Sequence, residues 1–301
     1  MAFSLIFWIW TQKILKIFLQ KYSIIYYMIT SIGNSQVKNV EALQKKSRER
    51  REQRCFVAEG LRLILETPGQ LLKELYVTDT FAASEDGAAA ISRLRSRSPR
   101  ARFETVSDQV MGAMSDTQTP QGVLGVVEMP FFTLHDTITS ATRRNIAPQL
   151  LILETIQDPG NLGTILRTAE GAGVTGVVMN NTTVDIYSPK VVRSTMGSIF
   201  RLPHVVVPDL EKAVHSLKAV GVRIYAAHLH GEANYDRPDY TSACGFLIGN
   251  EGNGLTSEAA SWADELIKIP MEGRLESLNA AMAAGILSYE VHRQRANAGR
   301  I

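Results

Sequence analysis

Three short stretches hold residues whose types and spacing could do chemistry. The first is QDPGNLGTILR, residues 157–167. Asp158-Pro159-Gly160 makes a tight exit from an apolar strand. Asn161 can cap the helix that follows, and Arg167 sits about a turn and a half further along it. A helix start with an arginine close by suits a phosphate. Taken alone, a capped helix with a surface arginine accounts for the same residues. The second stretch is IGNEGNGL, 248–255. Gly249, Gly252 and Gly254 let the backbone approach a ligand closely, and Glu251 is an unusual acid inside a glycine turn. Its spacing is G-x-x-G-x-G, so neither a dinucleotide fingerprint nor a phosphate loop is present. The third stretch is IPMEGRLESLNAAMAAG, 269–285. A strand ends at Ile269-Pro270, and Ser277-Leu278-Asn279 opens a helix whose alanines and Gly285 permit close backbone packing. Each stretch has a structural explanation of its own. Three in order at strand ends within one half of the chain point to a single site.

The elements that must position these loops alternate regularly. LLILETI, VTGVVMN, HVVV, RIYAAHL, CGFLIGN and ELIKIP read as strands, with helices between them. Near-continuous apolar strands alternating with helices imply a parallel sheet covered on both faces. Ligands bind such sheets at the carboxyl ends of the strands. The preceding half alternates less regularly and reads as a small α/β sandwich. Between the halves, residues 131–147 lack clear periodicity and read as a linker. The organisation is thus a domain over 28–130, a linker over 131–147 and a second domain over 148–301.

Composition narrows the classes further. With 301 residues, 45% hydrophobic and 21% charged, the chain suits two globular domains. A net charge of +2 excludes a strongly basic nucleic-acid-coating protein but not a local patch. Two cysteines distant in sequence, Cys55 and Cys244, exclude a disulfide scaffold or a cysteine-based zinc site, and suit a reduced, cytoplasmic setting. The opening residues 1–27 differ from everything after them. They are aromatic-rich, carry no acid, and have Lys13, Lys16 and Lys21 interrupting any apolar run long enough to span a membrane. No signal-peptide pattern is present. They read as a non-native or mis-assigned extension with Met28 as the start, an interfacial helix being the alternative. A membrane protein is not expected.

Taken together, the three loops resemble the SpoU (TrmH) family of RNA ribose 2′-O-methyltransferases, in the SPOUT superfamily. Asn161, Gly163 and Arg167 match the first family motif. Gly249, Asn250, Glu251 and Gly252 match the second. Ile269, Pro270, Met271, Ser277, Leu278 and Asn279 match the third, and the match spans roughly 148–296. The segment from Asn34 to Gly60 is similar, more loosely, to the family's ribosomal-protein-like RNA-binding domain. The resemblance implies a parallel sheet with a deep trefoil knot, and a homodimer with the final helix and the first-motif helix near its interface. It further implies S-adenosylmethionine held by backbone around Gly249, Asn250, Gly252, Ile269 and Leu278, and no metal.

On this reading a methyl group passes in line to a ribose 2′-oxygen. Arg167 binds the adjacent phosphate and orients the hydroxyl, because a guanidinium is a poor base. Asn161, Ser277 and Asn279 position the ribose and the loops, and Glu251 holds the knot or tunes Arg167. RNA capture falls to a basic helix carrying Lys45, Lys46, Arg48, Arg50, Arg51 and Arg54, with the arginines of 93–102 as a further cluster. No aromatic stacking signature is present, so recognition of folded RNA by shape is expected. Large-subunit rRNA is the first substrate choice and tRNA the second. A non-catalytic RNA-binding ribosome-assembly factor on the same fold is the alternative. A nucleotide-dependent dehydrogenase is disfavoured by the absent fingerprint.

Overall fold

The computed structural model describes residues 28–275 and 277–300. The reading of residues 1–27 as an extension lies outside them. The chain divides into two compact units, one ending at Met129 and the other running from Pro130.

In the first unit, α1 (Ser35–Lys45) and α2 (Ser47–Gln53) precede β1 (Cys55–Glu59) and α3 (Leu61–Glu66). There follow β2 (Leu72–Thr78), α4 (Asp79–Ala83), α5 (Glu85–Arg97), β3 (Arg102–Val106), α6 (Asp108–Met114) and β4 (Val123–Glu128). The sheet order is β1-β4-β2-β3, with β4 antiparallel to both neighbours and β3 parallel to β2. Val37, Val40 and Leu43 of α1 recur at helical spacing and bury with Val110, Met111 and Met114 of α6 against one sheet face. Helix caps are supplied by Asn34, Thr78, Ser84 and Ser107, each accepting from a backbone N–H of its own first turn.

The expected single basic helix is two. Lys46 is extended (φ −122°, ψ 113°) and separates α1 from α2. The reason lies in Arg50, which folds back and donates through Nη1 to the carbonyls of Leu43 at 2.7 Å and Gln44 at 3.0 Å. These are carbonyls at the open end of α1, so a buried arginine serves as its cap.

The second unit begins with α7 (Leu134–Arg143), within the stretch read as a linker. Thr133 and Asp136 form a reciprocal capping box at its start. Leu134 and Ile138 pack on the unit's core, and Ser140 Oγ donates to the Thr175 carbonyl at 2.6 Å. Gly176 is required beneath it, because a Cβ there would stand 2.2 Å from the Thr137 Cβ. Residues 134–143 therefore belong to the second unit's own core. The β-branched residues and hydroxyls of DTITSAT obscure the apolar positions at i, i+4 and i+7 that build the helix.

The remaining elements are β5 (Gln149–Leu153), α8 (Pro159–Gly171), β6 (Gly176–Asn180), α9 (Pro189–Ser194), β7 (His204–Val207), α10 (Leu210–Ala219) and β8 (Arg223–Ala227). They are followed by β9 (Ala233–Asn234), β10 (Cys244–Ile248), α11 (Ser257–Ser261), β11 (Glu265–Lys268) and α12 (Ala280–Asn297). All seven strands are parallel in the order β7-β6-β5-β10-β8-β11-β9, as the alternating pattern predicts. The core residues of α10 and α11 cover one face together with α7. On the other, α12 lies against β5 and β10, and α8 packs on α9 and α12. Close approach is achieved by small residues. A Cβ on Gly163 would meet Ser194 Cβ at 2.3 Å, and one on Gly285 would stand 3.3 Å from Thr168. Among the described residues no helix is long and apolar enough to cross a membrane.

Candidate active site

Because the strands are parallel, the loops after β5, β10 and β11 all leave the same, carboxyl end of the sheet. Neighbouring positions of β5 and β10 bring the first two loops side by side, Leu153 pairing with Ile248. What joins all three is a chain of side-chain hydrogen bonds. The Glu251 carboxylate accepts from the Gln157 N–H at 3.1 Å, the Asp158 N–H at 3.0 Å and Asn161 Nδ2 at 3.0 Å. With its amide nitrogen committed to Glu251, Asn161 presents Oδ1 to Asn279 Nδ2 at 2.8 Å. Asn279 Oδ1 in turn caps α12, accepting from Ala281 N at 2.9 Å and Met282 N at 3.3 Å. One residue from each motif thus fixes the next. Burial pushes the Glu251 carboxyl up. The hydrogen bonds from Asn161, Asp158 and Gln157 outweigh it and hold the group below the usual glutamate range.

The glycine turn is shaped from within. Asn250 and Gly254 exchange backbone hydrogen bonds at 3.0 and 2.9 Å, and Gly254 has φ +69°. A Cβ on Gly249 would stand 2.1 Å from the Gly254 carbonyl carbon, so only glycine fits at 249. Asn250 Oδ1 accepts from the Gly252 and Asn253 N–H groups, while its Nδ2 donates to the Thr155 carbonyl at 2.9 Å.

Two supports escaped the sequence reading. Thr155 adopts φ +58° and is held there by Asn180, which accepts from its N–H at 2.9 Å and donates to its hydroxyl at 2.9 Å. Glu154 accepts from both the Thr256 N–H and its hydroxyl, fixing the turn that caps α11. The signal available was the abrupt polar pair Glu154-Thr155 after the apolar run Leu150–Leu153.

The network does not include every expected residue. Arg167 is exposed on α8, about 9 Å along the helix from Asn161. It makes no hydrogen bond or ion pair among the described residues. Ser277 is exposed beside Asn279, and Ile269 and Leu278 are half-buried. Outside the sheet's own pairing, the main-chain groups of Ile269 and Leu278 have no partner among the described residues, and Gly252 is exposed with Gly254 beside it. Open backbone donors and acceptors next to small residues fit a ligand such as S-adenosylmethionine, whose adenine and ribose are polar at their edges and flat between. Among the described residues no group of three or more His, Cys, Asp and Glu side chains could hold a metal ion. A cavity of about 540 Å³ lies elsewhere, at the amino end of the sheet, lined by Arg144, Asn145, Thr241, Arg295 and Arg300. None of the motif loops contributes to it.

In the first unit, the six basic residues expected to hold RNA divide. Arg50 is 4% exposed and occupied by the α1 carbonyls, so it is not a surface contact. Lys45, Lys46, Arg48, Arg51 and Arg54 are exposed, with Lys45 paired to Glu41 and Arg48 to Glu52 one helical turn away.

Comparison with known proteins agrees with this geometry. Residues 148–289 match the model of the SpoU rRNA Methylase family, and residues 34–125 match an MRM3-like substrate binding domain. A Bacillus subtilis protein named 23S rRNA (guanosine(2553)-2'-O)-methyltransferase RlmP is 34% identical, over 87% of this chain and 98% of its own length. The crystal structure of an AdoMet-bound rRNA methyltransferase from Sinorhizobium meliloti superposes with a TM-score of 0.74 at 35% identity, covering 88% of this chain and 97% of that one. The SpoU methyltransferase AviRb from Streptomyces viridochromogenes, in complex with AdoMet, gives 0.75 at 28% identity, over 87% and 98%. Three motif loops joined through Asn161, Glu251 and Asn279, and similarity running through both units, establish that the chain belongs to the SpoU rRNA methylase family.

Proposed function

We propose that the protein transfers a methyl group from S-adenosylmethionine to a ribose 2′-hydroxyl of large-subunit rRNA, with tRNA as the second choice. The observation that carries the reading is the Asn279–Asn161–Glu251 relay, which holds three ligand-facing loops in one arrangement. Relatives of similar length named as rRNA or SpoU methyltransferases, two of them seen with AdoMet, support the reading over a non-catalytic assembly factor.

When bound, S-adenosylmethionine supplies an electrophilic methyl group on a sulfonium. Main chain at Gly249, Asn250, Gly252, Ile269 and Leu278 would hold it. Gly231 and Gly249 pack so closely on neighbouring backbone that no Cβ fits, which supports the implied trefoil knot at this end of the sheet. Arg167 binds the phosphate next to the target ribose and orients its 2′-oxygen, keeping its charge throughout. Ser277 positions the ribose, while Asn161, Asn279 and Glu251 act by holding the loops. Alignment of nucleophile and methyl donor supplies much of the rate. The protein works in the cytoplasm as a homodimer through α8 and α12, and the exposed Met282 and Tyr289 on α12 support that interface.

The test is to map 2′-O-methylation in large-subunit rRNA after incubation of the purified protein with S-adenosylmethionine. A new modified ribose is expected with wild type and none with Arg167→Ala, while calorimetry shows the variant still binding the cofactor. A wild-type protein that binds the cofactor yet modifies no RNA would overturn the proposal.

A further inference from the structure

In the second unit α7, α8 and α12 all finish at the amino end of the sheet, and each finishes in the same way. A left-handed residue turns the chain back, Asn145 (φ +54°) after α7, Gly173 (φ +84°) after α8 and Gly299 (φ +65°) after α12. The N–H of the residue after each then reaches a carbonyl of the last turn, Ile146 to Ala141, Val174 to Ala169 and Arg300 to Arg295. Backbone alone thus closes these helix ends.

The cavity of about 540 Å³ lies where α7 and α12 end, a volume in the range of small-ligand sites. Arg144 at the end of α7, Arg300 beyond α12 and the buried Arg295 all line it, and no carboxylate does among the described residues. Arginines near helix ends are favoured by the dipole and commonly donate to open carbonyls. Arg295 is spent in this way on strand-entry carbonyls, but Arg144 and Arg300 are not. Each uses a single hydrogen bond, Arg144 to the Gly173 carbonyl at 3.2 Å and Arg300 to the Thr241 carbonyl at 3.2 Å. A guanidinium has five donors, so most of each fork stays open. Both side chains are exposed, and neither forms an ion pair among the described residues.

The acids nearby do not neutralise them. Glu170, at the end of α8, is taken by Arg201. Asp239 accepts from the Thr241 N–H at 2.8 Å; that bond, with help from the charge of Arg300, holds it below the usual aspartate range. Burial lowers the Arg295 guanidinium, and the like charges of Arg300 and Arg144 push it the same way, so the three feel one another's fields.

We infer that this cavity is a second binding site, for a ligand carrying phosphate, gripped by Arg144 from the end of α7 and Arg300 from beyond α12. Planar forks with paired donors suit phosphate oxygens, and a doubly or triply charged group offsets like charges that a single carboxylate would leave in excess. The site lies at the end of the sheet opposite the motif loops, so its ligand leaves S-adenosylmethionine binding untouched.

The test titrates the full chain with inorganic pyrophosphate by calorimetry at fixed ionic strength, and records thermal melting with and without it. Wild type should bind saturably and melt at a higher temperature when the ligand is present. Arg144→Ala/Arg300→Ala should bind about tenfold or more weakly, for want of charge-assisted bonds, with cofactor affinity unchanged. Arg62→Ala, at an exposed arginine of the first unit, should behave as wild type. Filter binding of large-subunit rRNA distinguishes the sources of the phosphate. Unchanged RNA affinity in the double variant assigns the cavity to a free phosphate ligand; weakened affinity, with pyrophosphate displacing RNA from wild type, assigns it to backbone phosphate. Absence of saturable pyrophosphate binding in wild type, undiminished binding in the double variant, or an equal loss with Arg62→Ala would overturn the inference. If the double variant melts early, Arg300→Ala alone replaces it, with a loss of about threefold or more.

Discussion

The two ends of the second unit's sheet use polar residues in opposite ways. At the amino end Arg295 is 2% exposed and wholly consumed by structure. Its guanidinium donates to the carbonyls of Tyr240, Ala147, Pro148 and Ser242 at 2.7–3.2 Å, tying the start of β5 and the approach to β10 onto α12. At the carboxyl end, among the described residues, no arginine bonds into the Asn279–Asn161–Glu251 network. Neutral amides and one carboxylate join the loops, and Arg167 on α8 is left without a partner among the described residues. An arginine surrounded by unsatisfied carbonyls becomes a fastener, whereas one whose neighbours are already satisfied remains available to a ligand. Residue type does not decide between these outcomes. The same contrast separates Arg50 and Arg97, which donate to helix carbonyls, from the exposed Arg93 and Arg100 in the first unit.

The largest effect expected from this comparison is on stability at the amino end. Arg295→Met should destabilise the protein by about 3–5 kcal/mol, because several buried carbonyls lose their donor at once. Arg295→Lys should rescue little, since an ammonium cannot serve four carbonyls with the fork of a guanidinium. Urea denaturation reads both, and a loss below about 1 kcal/mol would break the comparison.

Arg167→Ala is the converse. Turnover should fall by about 10²–10³-fold, the usual cost of removing a charge-stabilising donor, with an unchanged denaturation midpoint. A shifted midpoint would show Arg167 to be a fastener too.

Smaller effects sharpen the carboxyl end. Glu251→Gln and Asn161→Ala should each weaken S-adenosylmethionine binding, by about 1–3 kcal/mol as judged from lost hydrogen bonds to a charged, half-buried group. Their double-mutant cycle should show coupling of about 0.5–3 kcal/mol, because both break one relay. Strict additivity would mean that the loops are fixed independently.

The smallest expected effect is on pH dependence. Glu251 is held below the ordinary glutamate value of 4.5, so the folded loops bind its proton less readily than the unfolded chain. Its contribution is therefore complete above about 4.5 and is lost as pH falls through the lowered folded value. Cofactor affinity should decline in that acid window in wild type and lose that component in Glu251→Gln, as followed by calorimetry across pH 3–6. An identical decline in both proteins would remove Glu251 as the titrating group.

Much of this was legible beforehand, for reasons that are themselves physical. The parallel sheet was readable because β5, β6 and β10 are buried along nearly their whole length and are apolar but for Gln149 and Asn180 at strand ends. The motif loops were readable because Gly249 and Gly163 stand where no Cβ fits, a demand that leaves a mark on composition. Helix α7 was not readable, since its threonines and serines are weak helix formers that succeed only by packing on Gly176 and the core. Nor was the role of Arg50, whose partners are carbonyls that exist as acceptors only once α1 ends at Lys45.

By itself, then, the sequence determined that a parallel sheet forms, which loops must be free of side chains, and which family's chemistry they carry, because periodicity and glycine placement are local demands. Only the tertiary structure decided which charges are free to act. Whether an arginine meets phosphate or a helix-end carbonyl depends on which chain ends the fold brings within about 3 Å of its guanidinium, and that distance is set by residues far away in sequence.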